Sequence, residues 1–208
     1  MSEFNQKKYA RPSVAADVVL FSTTAPELEV LLIKRGSEGD PTRGRWALPG
    51  GFVTGSKTPD DCAYDIGSET FLQAAKRELF EETGIKNACL EQLFTFSEPG
   101  RDERGWIISC AFLGFIDKSG VQPKAGDDAA AAEWFKIKYT ANAGTRRELN
   151  LTNESGVQLN ACLDMKGSGG GEPDILKQSS QLAFDHAKII AYALEVKNLF
   201  TKGARFVV

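Results

Sequence analysis

The run SVAADVVLFS, residues 13–22, constrains the fold most: β-branched and leucine-rich throughout, it reads as a buried strand. The turn-forming TTAPE separates it from a second such run, LEVLLIKR, so the two predict a hairpin within a sheet. After the polar loop GSEGDPTRGR, WALPGGFV reads as a short strand broken by Pro49, Gly50 and Gly51. Those glycines permit a sharp turn or a close backbone approach to a ligand.

A long polar and acidic loop follows over residues 54–68 (TGSKTPDDCAYDIGS). The next stretch predicts a helix from about Ser68 or Glu69 to Thr83, with Ser68 or Thr70 as N-cap and Gly84 as the stop. CLEQLFTFSE and GWIISCAFLGFI predict two strands around the turn PGRDERG, and AAAAEWFKI predicts another after the acidic GDD. From Arg147 to Met165 apolar residues alternate around NESG, predicting an inserted hairpin within about 145–172. KGSGGGEP reads as a flexible loop; it lacks the strand, the Lys-Ser/Thr ending and the helix of a phosphate-binding P-loop. QLAFDHAKIIAYALEVKNLF, about 181–200, closes the chain as a helix.

This is an α/β pattern, and 208 residues with 42% hydrophobic content suit a single domain spanning 1–208. The net charge of -3, with no Lys/Arg cluster longer than two, argues against a nucleic-acid partner. The N-terminal stretch has no apolar run and no segment is long enough to span a bilayer, so a soluble, cytoplasmic protein is expected, with no membrane partner. Cys62, Cys89, Cys110 and Cys162 have no CxxC spacing and fit reduced thiols rather than a zinc site or disulfide framework.

The predicted helix contains AAKRELFEETGI, residues 74–85, a poor choice on local grounds. Glu78 repels Glu81 and Glu82 across a shared face, and the latter two sit at the negative end of the helix dipole. A bound cation would compensate. At about 100° per residue, Glu82 falls near ~40° and Glu81 near ~300° from Glu78. Ala75, Leu79 and Leu72 form an apolar stripe beside them, so the helix can pack while its acids line a cleft. Carboxylates in this pattern suit Mg²⁺ (or Mn²⁺), which also binds substrate phosphate oxygens and activates water for attack on phosphorus. Arg77 lies N-terminal to Glu81, the less favourable order for a surface pair, and reads better as a residue that orients a glutamate.

Glu69, followed after seven residues by Arg77-Glu78-Leu79-Phe80-Glu81-Glu82-Thr83-Gly84-Ile85, closely resembles the Nudix box. The family pattern expects a glycine six positions before Glu69; Ala63 stands there and Gly51 is eighteen positions away, which implies a twelve-residue insertion. RPSVAADVVLF, VLLIKRG, RWALPGGFV, GRDERGW, AGDDAAAAEWF and LAFDHAKIIAYAL are similar to the ADP-ribose pyrophosphatase-like branch, which includes sensor domains of transcriptional regulators.

The resemblance implies an α/β/α sandwich with a mixed sheet, to which this chain adds its hairpin. It also implies Mg²⁺-dependent cleavage between the phosphates of a nucleoside diphosphate linked to another moiety, giving AMP and ribose 5-phosphate if that is ADP-ribose. Glu78, Glu81 and Glu82 become the implied metal ligands, with Glu69 and Arg77 completing the catalytic set. Arg35, Gly50, Gly51, Arg101 and Arg104 are candidates to hold the diphosphate, and Trp46 and Trp106 to stack on adenine; Trp46 equally suits a core position. The base could be Glu98, Asp102, Glu103 or a box glutamate. His186, the one histidine, is either a base or a packed structural residue.

Two other activities fit the same box: pyrophosphohydrolysis of nucleoside triphosphates, and ADP-ribose sensing without turnover. A DNA-binding sensor would need a basic winged-helix domain after the fold, whereas this sequence stops at Val208. A homodimer is expected, with the hairpin at 147–165 as a dimer or lid element.

Overall fold

The computed structural model describes residues 10–24, 27–55, 68–126, 129–142, 144–165 and 173–197. Strands β1 (Ser13–Ser22), β2 (Glu29–Arg35), β3 (Trp46–Ala47) and β4 (Gly50–Phe52) precede helix α1 (Phe71–Thr83). Strands β5 (Leu90–Phe96), β6 (Ile107–Ile116), β7 (Ala129–Ala141), β8 (Arg146–Thr152), β9 (Gln158–Asp164) and β10 (Asp174–Gln178) then lead to helix α2 (His186–Val196). One mixed sheet runs in the order β10, β9, β8, β7, β2, β1, β6, β5, with β3 on β2 and β4 on β1.

The apolar run of β1 is buried on both faces, and its alternation sorts the core. Ala16, Val18 and Leu20 pack with Ala74, Ala75 and Leu79 of α1, while Val19 and Phe21 join Ile189, Ile190 and Leu194 of α2 on the other side. The result is the expected α/β/α sandwich. Burying Leu79 alone is worth roughly 1.5–3 kcal/mol. Leu72 does not share that stripe: it is 37% exposed.

The expected hairpin forms only at its closed end. β1 and β2 pair antiparallel at Phe21 with Val30 and at Ser22 with Glu29. Beyond that point the sheet splits. Residues 46–52 enter the split, pairing Trp46 and Ala47 with β2 and Gly50 to Phe52 with β1. β1 meanwhile runs parallel to β6 along its whole length, from Ser13 with Ile107 to Ser22 with Ile116.

The hairpin expected at 147–165 is present as β8 and β9, registered from Arg146 with Asp164 to Thr152 with Gln158. It is no separate lid: it continues the main sheet from β7, and Leu149, Leu151, Leu159, Ala161 and Leu163 join the α2 core. β10, which no pattern in the sequence suggested, extends the same edge. The C-terminal helix begins at His186, later than expected, since Gln181–Asp185 form a turn and a backbone bridge to Trp46. The expected loop KGSGGGEP lies outside the described residues except for Pro173, and residues 56–67 of the expected insertion do so as well.

Candidate active site

Helix α1 starts from a capping box: Thr70 Oγ1 accepts from Gln73 N at 3.2 Å, and Gln73 Oε1 accepts from Thr70 N at 2.8 Å. It ends at Gly84, whose φ of 72° most side chains would resist. Just before the cap, Glu69 and Thr54 clasp each other. Glu69 N donates to the Thr54 carbonyl at 3.1 Å and Thr54 N donates to Glu69 Oε1 at 2.7 Å. The chain therefore returns to a fixed neck before the helix begins.

Arg77 organises the acids. Its Nε and Nη2 fork onto Glu69 at 3.0 and 2.6 Å, and its Nη1 donates to Glu78 at 2.7 Å and Glu81 at 2.8 Å. Nη2 also reaches the Phe52 carbonyl at 3.0 Å, tying the helix to β4. Those bonds hold Glu69 down at about 2. Glu78 moves the other way, because burial outweighs the Arg77 bonds and Glu81 and Glu69 repel it.

Glu82 is turned inward, 7% exposed, and its Oε2 accepts from Gly50 N at 2.9 Å. Burial pushes it up to about 8, the Gly50 bond only partly countering the loss of water. Gly51 packs on the Glu78 carboxylate so closely that a Cβ there would overlap it. The glycine turn and the helix thus fit face to face.

This junction forms one wall of a cavity of about 580 Å³. Gly50, Gly51, Phe52 and Glu78 line that wall; Arg35, Arg101, Asp102 and Arg104 bring charge from other elements, with Phe184 among them. Arg35 Nε donates to Asp40 at 2.7 Å, and Arg101 is held bidentate by Asp185 at 3.0 and 2.6 Å. The Arg104 guanidinium lies 4.5 Å from the Phe184 ring and 5.1 Å from Phe52, with bidentate bonds to Asp102.

Five of the seven candidate substrate residues therefore meet in one cavity: Arg35, Gly50, Gly51, Arg101 and Arg104. The two tryptophans do not. Trp46 is 3% exposed and packs edge-on to Phe135 at 4.8 Å, so its rings serve the core. Trp106 is 48% exposed and lies outside the cavity lining.

Among the three candidate bases outside the box, Glu103 pairs with Arg45 at 3.0 Å and Glu98 pairs with Lys188. Asp102 does line the cavity; burial would raise it, but the Arg104 bonds keep it below the ordinary carboxylate range, which makes it a weak base. His186 is buried yet belongs to the cavity lining; its Nδ1 accepts from Leu48 N at 2.8 Å, so that nitrogen is already engaged. Burial lowers its proton affinity, against the pull of Asp17 and Asp185 and with the help of Arg101 and Arg35.

Phe184, Phe52 and Asp17 were not anticipated. Asp17 was the most legible, as the single charge inside SVAADVVLFS; it lines the cavity and accepts from Ser109 Oγ. Phe184 leaves no mark in the sequence, although its φ of 48° is an uncommon left-handed conformation for a phenylalanine.

Among the described residues no three metal-ligating side chains already converge as a group. Glu78 and Glu81 are drawn instead to one Arg77 nitrogen. The donor set still fits a hard divalent cation: the box offers carboxylate oxygens within one helical turn, and Glu82 carries a buried carboxyl that a cation would favour in its charged form.

A NUDIX domain family model matches residues 11–64 and 65–151. The chain belongs to the NUDIX domain family. Among curated proteins, it is 39% identical over 129 residues to the ADP-ribose pyrophosphatase of Methanocaldococcus jannaschii, a match covering 62% of this chain and 64% of that protein. It is 29% identical over 138 residues to the ADPR responsive transcriptional repressor NtrR of Acinetobacter baylyi, covering 66% of this chain and 50% of the repressor. These matches thus span between half and two thirds of either relative. The crystal structure of a MutT/nudix family protein from Enterococcus faecalis superimposes with a TM-score of 0.68 at 34% identity, covering 95% of this chain and 66% of that one.

Proposed function

We propose that this NUDIX protein is a cytoplasmic, divalent-cation-dependent pyrophosphatase of nucleoside diphosphate derivatives, with ADP-ribose cleaved to AMP and ribose 5-phosphate. The observation that carries this reading is the juxtaposition of the box helix and Gly50-Gly51 with a cavity lined by three arginines. A diphosphate needs cations on one side and a hydrolytic centre on the other. The similarity to an ADP-ribose pyrophosphatase supports the substrate class.

Water attacks one phosphorus, the bridging P–O bond breaks, and the departing phosphate takes the bridging oxygen. Glu78, Glu81 and Glu82 would hold Mg²⁺ or Mn²⁺, which when bound neutralises phosphate charge and lowers the pKa of water. Glu78 is the box glutamate on the cavity wall, placed to present the cation to the diphosphate. Arg77 keeps Glu69, Glu78 and Glu81 aligned. Arg35, Arg101 and Arg104 neutralise the diphosphate, and the rings of Phe184 and Phe52 offer stacking surfaces for the base.

The test is turnover of ADP-ribose, NADH, FAD, UDP-glucose, diadenosine polyphosphates and deoxynucleoside triphosphates with Mg²⁺ or Mn²⁺, beside Glu82→Gln. Preferential, Glu82-dependent cleavage of ADP-ribose supports the proposal; preference for triphosphates would reassign the chain to the nucleotide pool. Similarity to an ADPR responsive repressor favours one second reading, an ADP-ribose sensor. Tight ADP-ribose binding with no turnover would establish it. We further propose a homodimer, which sedimentation of the wild type checks; a monomer at micromolar concentration refutes it.

A further inference from the structure

The segment between β10 and α2 reaches across the split in the sheet and holds the strand that carries the glycine turn. Trp46 N donates to the Gln181 carbonyl at 2.7 Å, and Ala183 N donates to the Trp46 carbonyl at 2.8 Å. Two residues on, Leu48 N lies inside the protein, where an unpaired amide would be costly, and it donates to His186 Nδ1 at 2.8 Å. Acceptance at Nδ1 places the ring proton on Nε2, which faces Asp17 Oδ1 at 3.8 Å.

Only Pro49 separates Leu48 from Gly50. Its ring fixes its own φ, and its carbonyl is held by Val18 N of β1 at 2.8 Å. Gly50 N then donates to Glu82 Oε2. A short, stiff series of bonds therefore runs from the start of α2 to the innermost box carboxylate. Gly50 has no slack on its other side, because the Ala16 carbonyl and Asp17 stand against its Cα.

We infer that His186 is a positioning residue: through Leu48 N it sets the height of the Pro49-Gly50-Gly51 turn, and through Gly50 N the direction of the Glu82 carboxylate. The ring also lines the cavity, but this role runs through its Nδ1, which the Leu48 amide occupies. The inference rests on the site reading above, in which Glu82 serves the cation.

The geometry separates this role from mere packing. Asparagine can place Oδ1 where Nδ1 now stands, whereas the glutamine carbonyl lies one carbon further out and phenylalanine has no acceptor. The experiment compares His186→Asn, His186→Gln and His186→Phe in the full chain, reading Mn²⁺ affinity from the free-ion paramagnetic resonance signal and ADP-ribose turnover beside it. His186→Gln and His186→Phe should weaken Mn²⁺ binding and lower kcat roughly tenfold or more, with KM little changed. His186→Asn should retain both within about threefold of wild type. Wild-type behaviour of folded His186→Phe overturns the inference, and so does an Asn variant no better than the Gln variant, a comparison that stands if the Phe variant fails to fold. Wild-type protein that binds Mn²⁺ without turnover removes the pyrophosphatase reading alone, since the Mn²⁺ comparison still decides the role of His186.

Discussion

Gly51 and Glu78 are fitted to each other so closely that the carboxylate takes the space a side chain on Gly51 would need. A flexible carboxylate can yield, so Gly51→Ala should fold with Glu78 displaced, and kcat should fall roughly 10- to 100-fold. Gly50 differs, because a Cβ there meets the Ala16 backbone carbonyl. Gly50→Ala should lower stability by about 1–3 kcal/mol. Thermal melts beside steady-state kinetics separate the two, and a Gly51→Ala enzyme with wild-type kcat would refute the fit.

Arg77 serves three glutamates and one backbone carbonyl with a planar fork. Lysine keeps the charge but not the fork. Arg77→Lys should therefore lose roughly tenfold or more in kcat while melting near the wild type. Kinetics at saturating Mg²⁺ check this; undiminished turnover would show that charge alone suffices.

The pH dependence of stability isolates Glu82. Its carboxyl rises from an ordinary value of 4.5 to about 8 on burial, so the folded state binds the proton more tightly than the unfolded chain. The contribution is fully present below 4.5 and is lost as pH rises through about 8. In EDTA, wild type should lose stability relative to Glu82→Gln between those limits, and Mn²⁺ should restore it. Urea midpoints of both proteins at pH 5 and pH 8 measure the difference; parallel curves would contradict a buried, proton-hungry Glu82.

Phe184 and Trp46 should separate binding from folding. Phe184→Leu removes a ring from the cavity, and KM for ADP-ribose should rise roughly tenfold, a typical value of one stacked base. Trp46→Phe removes volume from the core and should lower stability by about 1–3 kcal/mol without changing KM. The reverse outcome would return the stacking role to Trp46.

Much of this arrangement was legible because local chemistry records it. The box helix declares itself through Thr70, Gly84 and the crowded glutamates, and β8 and β9 through plain alternation around NESG. What the sequence concealed is what depends on contacts between distant segments. The splitting of β1 from β2 needs residues 46–52 to enter between them. Phe184 reaches the cavity from the segment whose Gln181 and Ala183 pair with the Trp46 backbone, while the Trp46 ring packs on Phe135 in the core. β10 has too little apolar pattern to show before β9 is in place beside it. Asp17 could have been found, as a charge in a strand otherwise free of charge.

The clasp between Thr54 and Glu69 has a practical consequence. Both ends of the stretch 55–68 are secured by the same two hydrogen bonds, and beyond them the capping box starts the helix afresh. Each doubling of loop length costs only about 0.6 kcal/mol in closure entropy. The start of the box helix is therefore tied to the strand that carries the glycine turn by Thr54 and Glu69 directly, whatever sequence joins them.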